Sequence, residues 1–151
     1  MTTHLFILEI VPSVQEACTG TKIFVSVCIA QAILETGWGK ASVGNNLFGI
    51  KATGTPNEYW DGSYLTLPTY EYIKGVKTQV YSKFRKYRTK ADSIKDHNRL
   101  FKNKRYAPVL AANNPEAQAR AIQDCGYATD PNYANKLTNL ISKYNLKQFD
   151  L

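Results

Sequence analysis

Between Thr21 and Glu35 almost every residue is apolar: Ile23, Phe24, Val25, Val27, Cys28, Ile29, Ala30, Ala32, Ile33 and Leu34. A helix built from this stretch has no polar face, so it must stand inside a domain with other elements packed round it. It is also too short and too interrupted for a bilayer, which needs about 20 apolar residues. Thr21 reads as the N-cap, and Gly37 and Gly39 as the stop. A chain of 151 residues with a 44% hydrophobic share can supply the surrounding shell, and one domain over residues 1–151 is expected.

The shell reads as helical. Thr3–Ala17 is a first helix, bent or restarted at Pro12 and ended by Gly20. Thr89 caps a third helix to about Asn103. Asn114-Pro115-Glu116 opens a fourth, with Gly126 at its end, and Asp130-Pro131 opens a fifth. Residues 36–68 lack helical period and read as loops. Thr69–Phe84 alternates like a β-hairpin with its turn at Lys74-Gly75. The expected class is α+β, mainly helical, with one inserted hairpin.

Charge is unevenly spread. Residues 1–70 hold 3 Lys/Arg against 5 Asp/Glu, residues 71–105 hold 12 against 3, and residues 106–151 hold 4 against 4. The basic stretch is either a solvated face or an attractor for a polyanion. Cys18, Cys28 and Cys125 have no metal-ligand spacing and read as small core residues. His4 and His97 are isolated, with no second ligand at helical spacing, so no zinc site is expected. Met1–His4 carries no Lys or Arg and Glu9 breaks the run Leu5–Val11, so no secretory signal is expected. That leaves a cytosolic chain, one that leaves the cell by another route, or an excised domain.

Glu35 is the anomaly. It ends the most hydrophobic helix, where the negative end of the helix dipole and partial burial both favour the protonated acid. A carboxylic acid kept protonated near neutral pH suits a general acid. The bland alternative is a solvated Glu at a frayed helix end. Gln31 lies one turn earlier on the same face. Trp38 follows between two glycines, where an indole can stack on a sugar ring. Asn46, Phe48, Tyr59, Trp60, Tyr64, Tyr70 and Tyr72 continue the density of amides and aromatics. Glu71 is the candidate second carboxylate, and strand alternation puts it on the opposite face from Tyr70 and Tyr72. Glycoside hydrolysis typically uses two carboxyl groups across the scissile bond.

The stretch Ala30-Gln31-Ala32-Ile33-Leu34-Glu35-Thr36-Gly37-Trp38-Gly39-Lys40, followed by Asn45-Asn46-Leu47-Phe48-Gly49-Ile50-Lys51, resembles the signature of the bacterial glucosaminidases of glycoside hydrolase family 73. These include autolysins, flagellar peptidoglycan hydrolases and phage lysins. Thr69-Tyr70-Glu71-Tyr72, Phe84-Arg85-Lys86-Tyr87, Ser93-Ile94-Lys95-Asp96 and Tyr127 to Ala134 are similar to the family as well, so the resemblance covers about residues 5–145. Thr36, where Ser is common, and Arg88, where an acid often stands, are small departures.

The resemblance implies a lysozyme-like fold, with a helical lobe and a hairpin lobe over a sugar-binding groove. It implies cleavage of the β-1,4 bond after N-acetylglucosamine in peptidoglycan, by a monomer that needs no cofactor and enters no membrane. Glu35, Glu71 and Tyr127 match the family's catalytic positions, and Gln31, Trp38, Asn46, Phe48, Tyr72 and Asp96 are expected to bind substrate. Anionic wall polymers are further expected partners; nucleic acid, which rests on charge alone, is not. A muramidase or lytic transglycosylase on the same fold, or a silent wall-binding module, are the alternatives.

Overall fold

The computed structural model describes residues 3–150. Two helices come first, α1 (Thr3–Cys18) and α2 (Val25–Thr36). The hairpin strands β1 (Tyr64–Ile73) and β2 (Val76–Arg85) follow. Then come α3 (Lys90–Asn98), α4 (Ala107–Ala111), α5 (Pro115–Asp124) and α6 (Tyr133–Lys143). The α+β class with one inserted hairpin is as expected.

The apolar helix takes the central place its sequence demands. Residues Val27 to Ala32 expose nothing to solvent, and α1, α5, α6 and the final turn Leu146–Phe149 pack around it. Its start differs from expectation. Thr21 is not the N-cap: its hydroxyl donates to Cys18 O and accepts from Ile23 N, closing the α1 turn instead. α2 begins at Val25, and Phe24 offers no side-chain cap. The cap comes from 124 residues away, where Asp150 accepts from Ser26 N at 2.7 Å and from the Ser26 hydroxyl at 2.6 Å. A carboxylate there satisfies an orphan N–H and meets the positive end of the helix dipole. Asp150→Ala should therefore cost about 0.5–2 kcal/mol, the usual worth of an N-cap, measured by denaturant unfolding. An unchanged midpoint would show that water replaces the carboxylate without loss.

At its other end α2 stops as anticipated. Gly37 takes the left-handed conformation, with φ 56°, and its N–H returns to Ile33 O. Gly39 lies so close to α1 that an added Cβ would stand 2.7 Å from the Phe6 ring. The chain is thus turned sharply just after Glu35.

The hairpin is longer than the alternation implied, because pairing starts at Tyr64↔Arg85 and runs through Pro68↔Tyr81. β1 has a free edge, so Pro68 removes no ladder bond there. Lys74 and Gly75 both have positive φ, the turn that matches the strand twist. A short segment pairs with β2 through the Lys51↔Phe84 bridge, with Ala52 N to Lys83 O at 2.8 Å. Leu65, Leu67 and Thr69 on one face of β1 are half-buried, while Tyr64, Thr66, Pro68 and Tyr70 on the other are exposed.

Thr89 caps α3 as expected, but the helix gives way at Asn98 to a 3₁₀ turn, Arg99–Lys102. Asn114 caps α5, accepting from Ala117 N at 2.7 Å. α6 starts at Tyr133 rather than at Pro131, because Asp130 accepts from Asn132 N in a turn that precedes it. The short α4 is an addition. Cys18 and Cys28 are buried, as core residues should be. Among the described residues no helix is long and apolar enough to cross a membrane.

Candidate active site

Glu35 sits on the last turn of α2 with its residue surface exposed, yet its carboxyl is hemmed in by aromatic rings behind it. Burial raises its pKa above the usual 4.5, and a hydrogen bond from Tyr133 opposes that only in part. The Tyr133 hydroxyl donates to Glu35 Oε1 at 3.5 Å and accepts from Gln31 Nε2 at 3.3 Å. A donor at 3.5 Å is loose, and so is a weak stabiliser of the anion. Such contacts often tighten only when substrate arrives.

Behind this pair lies a second chain of polar groups. The Tyr127 ring is 5.5 Å from Tyr133, and its hydroxyl is 2.7 Å from His97 Nε2. His97 is buried, which lowers its pKa to about 4, so the ring is neutral at working pH. Its Nδ1 faces Asn98 Oδ1 at 3.0 Å and therefore carries the proton. Nε2 is then the acceptor, and Tyr127 donates to it. Burial, together with the charge of Glu35, holds the hydroxyls of Tyr127 and Tyr133 well above the usual tyrosine range. Both stay protonated, one aimed at Glu35 and the other at His97.

Several residues expected to touch substrate do other work. Gln31 is fully buried and supports Tyr133; its Oε1 has no hydrogen-bond partner. Asn46 is buried and pins the loop after α2, donating to Ile50 O and Arg85 O and accepting from Phe48 N and Ile50 N. Phe48 is buried and stacks on the His97 ring at 3.7 Å. Trp38 is half-buried and packs edge-on against Phe6 and Tyr144, so it is not the free platform that its glycines suggested. Asp96 has a side chain only 3% exposed and accepts from Arg85, Tyr87, Asn57 and Arg99, which leaves it no lone pair for a substrate. Each of these corrections has one cause: amide, aromatic and acid side chains near a site also hold the backbone that shapes it.

Glu71 stands on the inner face of β1, its side chain half exposed and its Oε1 3.6 Å from Lys51 Nζ. Six residues separate Glu71 from Leu65, which sits level with the Lys51 bridge, or about 20 Å of straight strand. The ion pair closes because the hairpin curls back over the loop that follows Glu35. Tyr72, 76% exposed, lies on the outer face and cannot share a groove with Glu71. Tyr133 and His97 were missed as site residues. Tyr133 lay in the helical spacing of core positions, and His97 carried no sequence signal at all.

Five of the twelve basic residues of the 71–105 stretch are neutralised within the fold. Arg85 and Arg99 pair with Asp96, Lys90 with Glu9, Lys95 with Glu16 and Arg88 with Asp61. A cavity of about 930 Å³ opens at the N-terminal end of α2, beside Phe24 and Asp150. At 1.5 Å per residue Phe24 lies about 16 Å from Glu35 along the helix, so the cavity has no part in this site.

The fold that carries this raised carboxyl is one that known proteins share. The glucosaminidase model, described as mannosyl-glycoprotein endo-beta-N-acetylglucosaminidase, matches residues 11–146. The chain belongs to the glucosaminidase family. This glucosaminidase domain is 42% identical over 134 residues to the exo-glucosaminidase LytG of Bacillus subtilis, covering 83% of this chain and 45% of that protein. It is 42% identical over 123 residues to the peptidoglycan hydrolase FlgJ of Escherichia coli K12, covering 76% of this chain and 38% of that protein. The chain thus spans less than half the length of these curated relatives. The catalytic domain of the autolysin Auto from Listeria monocytogenes superposes with a TM-score of 0.84 at 33% identity, over 98% of this chain and 87% of that one. The glycoside hydrolase domain of Salmonella typhimurium FlgJ gives 0.81 at 33%, over 98% and 91%.

Proposed function

We propose that this glucosaminidase domain hydrolyses peptidoglycan at the β-1,4 bond after N-acetylglucosamine, within the strand, with Glu35 as general acid. The observation that carries the reading is the Glu35 carboxyl, pushed up by burial and held against Tyr133 at the end of a buried helix. The names of relatives support the substrate: LytG is an exo-glucosaminidase and FlgJ a peptidoglycan hydrolase. The site of action is then the bacterial cell wall.

In this reading Glu35 gives its proton to the leaving oxygen as the bond breaks. Positive charge grows on the sugar ring. Glu71 offsets that charge or activates water, after leaving Lys51. The sugar's own acetamido oxygen is the other nucleophile. Tyr127 suits that role, because its single proton goes to His97 and its oxygen is left to accept from the acetamido N–H. That contact would turn the acetamido carbonyl toward the anomeric carbon.

Digested sacculi analysed by mass spectrometry test the reading. New reducing ends should be N-acetylglucosamine. One specific observation favours a second reading: a Lactococcus lactis relative, 35% identical over 98% of this chain, is named a probable N-acetylmuramidase. Muramic acid reducing ends would establish that alternative.

Glu71→Gln should lower turnover strongly, though by less than loss of Glu35 if the acetamido group attacks. Azide restoring the rate of Glu71→Ala would show instead a carboxylate acting at the anomeric centre. Unchanged rates in both variants would reduce Glu71 to a surface residue paired with Lys51.

A further inference from the structure

The outer face of the hairpin has no part in the site described above. Register and alternation put Tyr64, Thr66, Pro68, Tyr70 and Tyr72 of β1 on it, beside Lys77, Gln79, Tyr81 and Lys83 of β2. Tyr64, Tyr70, Tyr72 and Tyr81 are 50%, 60%, 76% and 70% exposed, a dense aromatic surface for a soluble face. Lys77 Nζ lies 4.8 Å from the Tyr70 ring centre, and Lys83 Nζ 4.6 Å from that of Tyr64. Neither lysine is among the residues neutralised by ion pairs within the fold. The one acid in either strand, Glu71, points to the opposite side.

We infer that this outer face is a second glycan-docking surface, which holds an uncleaved neighbouring peptidoglycan strand while the inner face works on another. The inference rests on the proposed wall substrate. Pyranose rings have an apolar C–H face that stacks on tyrosine, and a phenol adds a hydrogen bond at its rim. Peptidoglycan strands also carry peptide carboxylates, which complement Lys77 and Lys83 on a face without acids. Tyr70 and Tyr81 are diagonal neighbours across the strands, about 7–8 Å apart, so one strand can lie over both. Because Glu71 faces the other way, a glycan held here is not the one being cut. Its effect is to keep the domain on the wall between cleavages by raising the local concentration of substrate.

The test uses the double variant Tyr70→Ser/Tyr81→Ser in a Glu35→Gln background, so that binding is read without digestion. Sedimentation with sacculi stripped of anionic polymers should show affinity reduced about tenfold, as expected for two lost stacking contacts. Tyr70→Phe/Tyr81→Phe should retain most of the binding, and thermal melting of both should match the parent. Lys77→Gln/Lys83→Gln should weaken binding at low salt and hardly at high salt. In the Glu35-containing protein, cleavage of a short soluble glycan should be unchanged by the Tyr variants. Unchanged sacculus binding overturns the inference. So does an equal loss on the short glycan, which would place these tyrosines in the catalytic groove. Loss confined to unstripped walls overturns it in favour of an anionic polymer. If the parent cleaves neither substrate while sacculus binding still depends on the tyrosines, the activity reading fails and the surface stands.

Discussion

Glu35→Gln should reduce cleavage of purified peptidoglycan by a factor of about 10²–10⁴, the usual contribution of a general acid. The amide keeps the size of the carboxyl and can still accept from Tyr133, but it has no proton to give the leaving oxygen. Folding and sacculus binding should stay close to the parent. The pH profile carries the sharper signature. Burial lifts the Glu35 pKa above 4.5, so the acid persists to higher pH than an ordinary carboxyl. Activity should decline as pH rises through that raised value. The residual activity of the variant should lose this limb. A variant that keeps more than a tenth of the rate, or the same alkaline limb, shows that Glu35 is not the acid.

Asp96→Ala should be the most damaging substitution for stability. Its carboxylate gathers donors from β2, from the loop at Asn57 and from Tyr87, so it ties the hairpin base to α3. Removing it leaves Arg85, whose side chain is only 13% exposed, without its counter-charge. Breaking a buried pair in this way typically costs about 3–5 kcal/mol, a large part of a small domain's total. The expected result is a lower melting temperature, with chemistry largely retained at low temperature where the fold survives. A normal melting temperature with lost activity would return Asp96 to the residues that contact substrate.

Acid should act on the same framework in two steps. His97 is held at about 4 against 6.5 for a free imidazole, so between these values the unfolded chain takes up a proton that the folded one refuses. Stability then declines as pH falls from 6.5 to 4, by up to about 3 kcal/mol. Burial alone would raise the Asp96 pKa, but bonds from Tyr87, Arg85 and Asn57 outweigh it and hold the value below 3.8. That contribution is complete above 3.8 and is lost as pH falls through the depressed value. Unfolding midpoints measured from pH 7 to 3 check both.

The elements were legible where local chemistry decides them. Asn114 and Thr89 cap their helices, and Lys74-Gly75 makes the turn, because each bond or torsion involves only near neighbours. α2 was legible as a central helix because no arrangement other than burial satisfies an apolar surface on every side. Its true cap was not, since Asp150 lies 124 residues from Ser26. Charge misled in the same way. The excess of the 71–105 stretch meets Glu9, Glu16 and Asp61 from the acidic first half, a neutralisation that no composition reveals.

For the candidate site, the sequence by itself singled out Glu35, by its place at the end of α2, its proximity to the Gly37–Gly39 turn and the family resemblance. It also determined the two faces of the hairpin, since a period of two is a property of the extended backbone. Only the tertiary structure decided what surrounds Glu35. Tyr133 and Gln31 reach each other across 102 residues, and Tyr127 meets His97 across 30. Only packing, too, engaged Asn46 and Asp96 with the surrounding chain and Phe48 with His97, because a side chain's donors and acceptors are committed by whichever backbone folds against it. Sequence sets which groups are available for hydrogen bonding and charge, while solvent exclusion at a particular place sets which protons move.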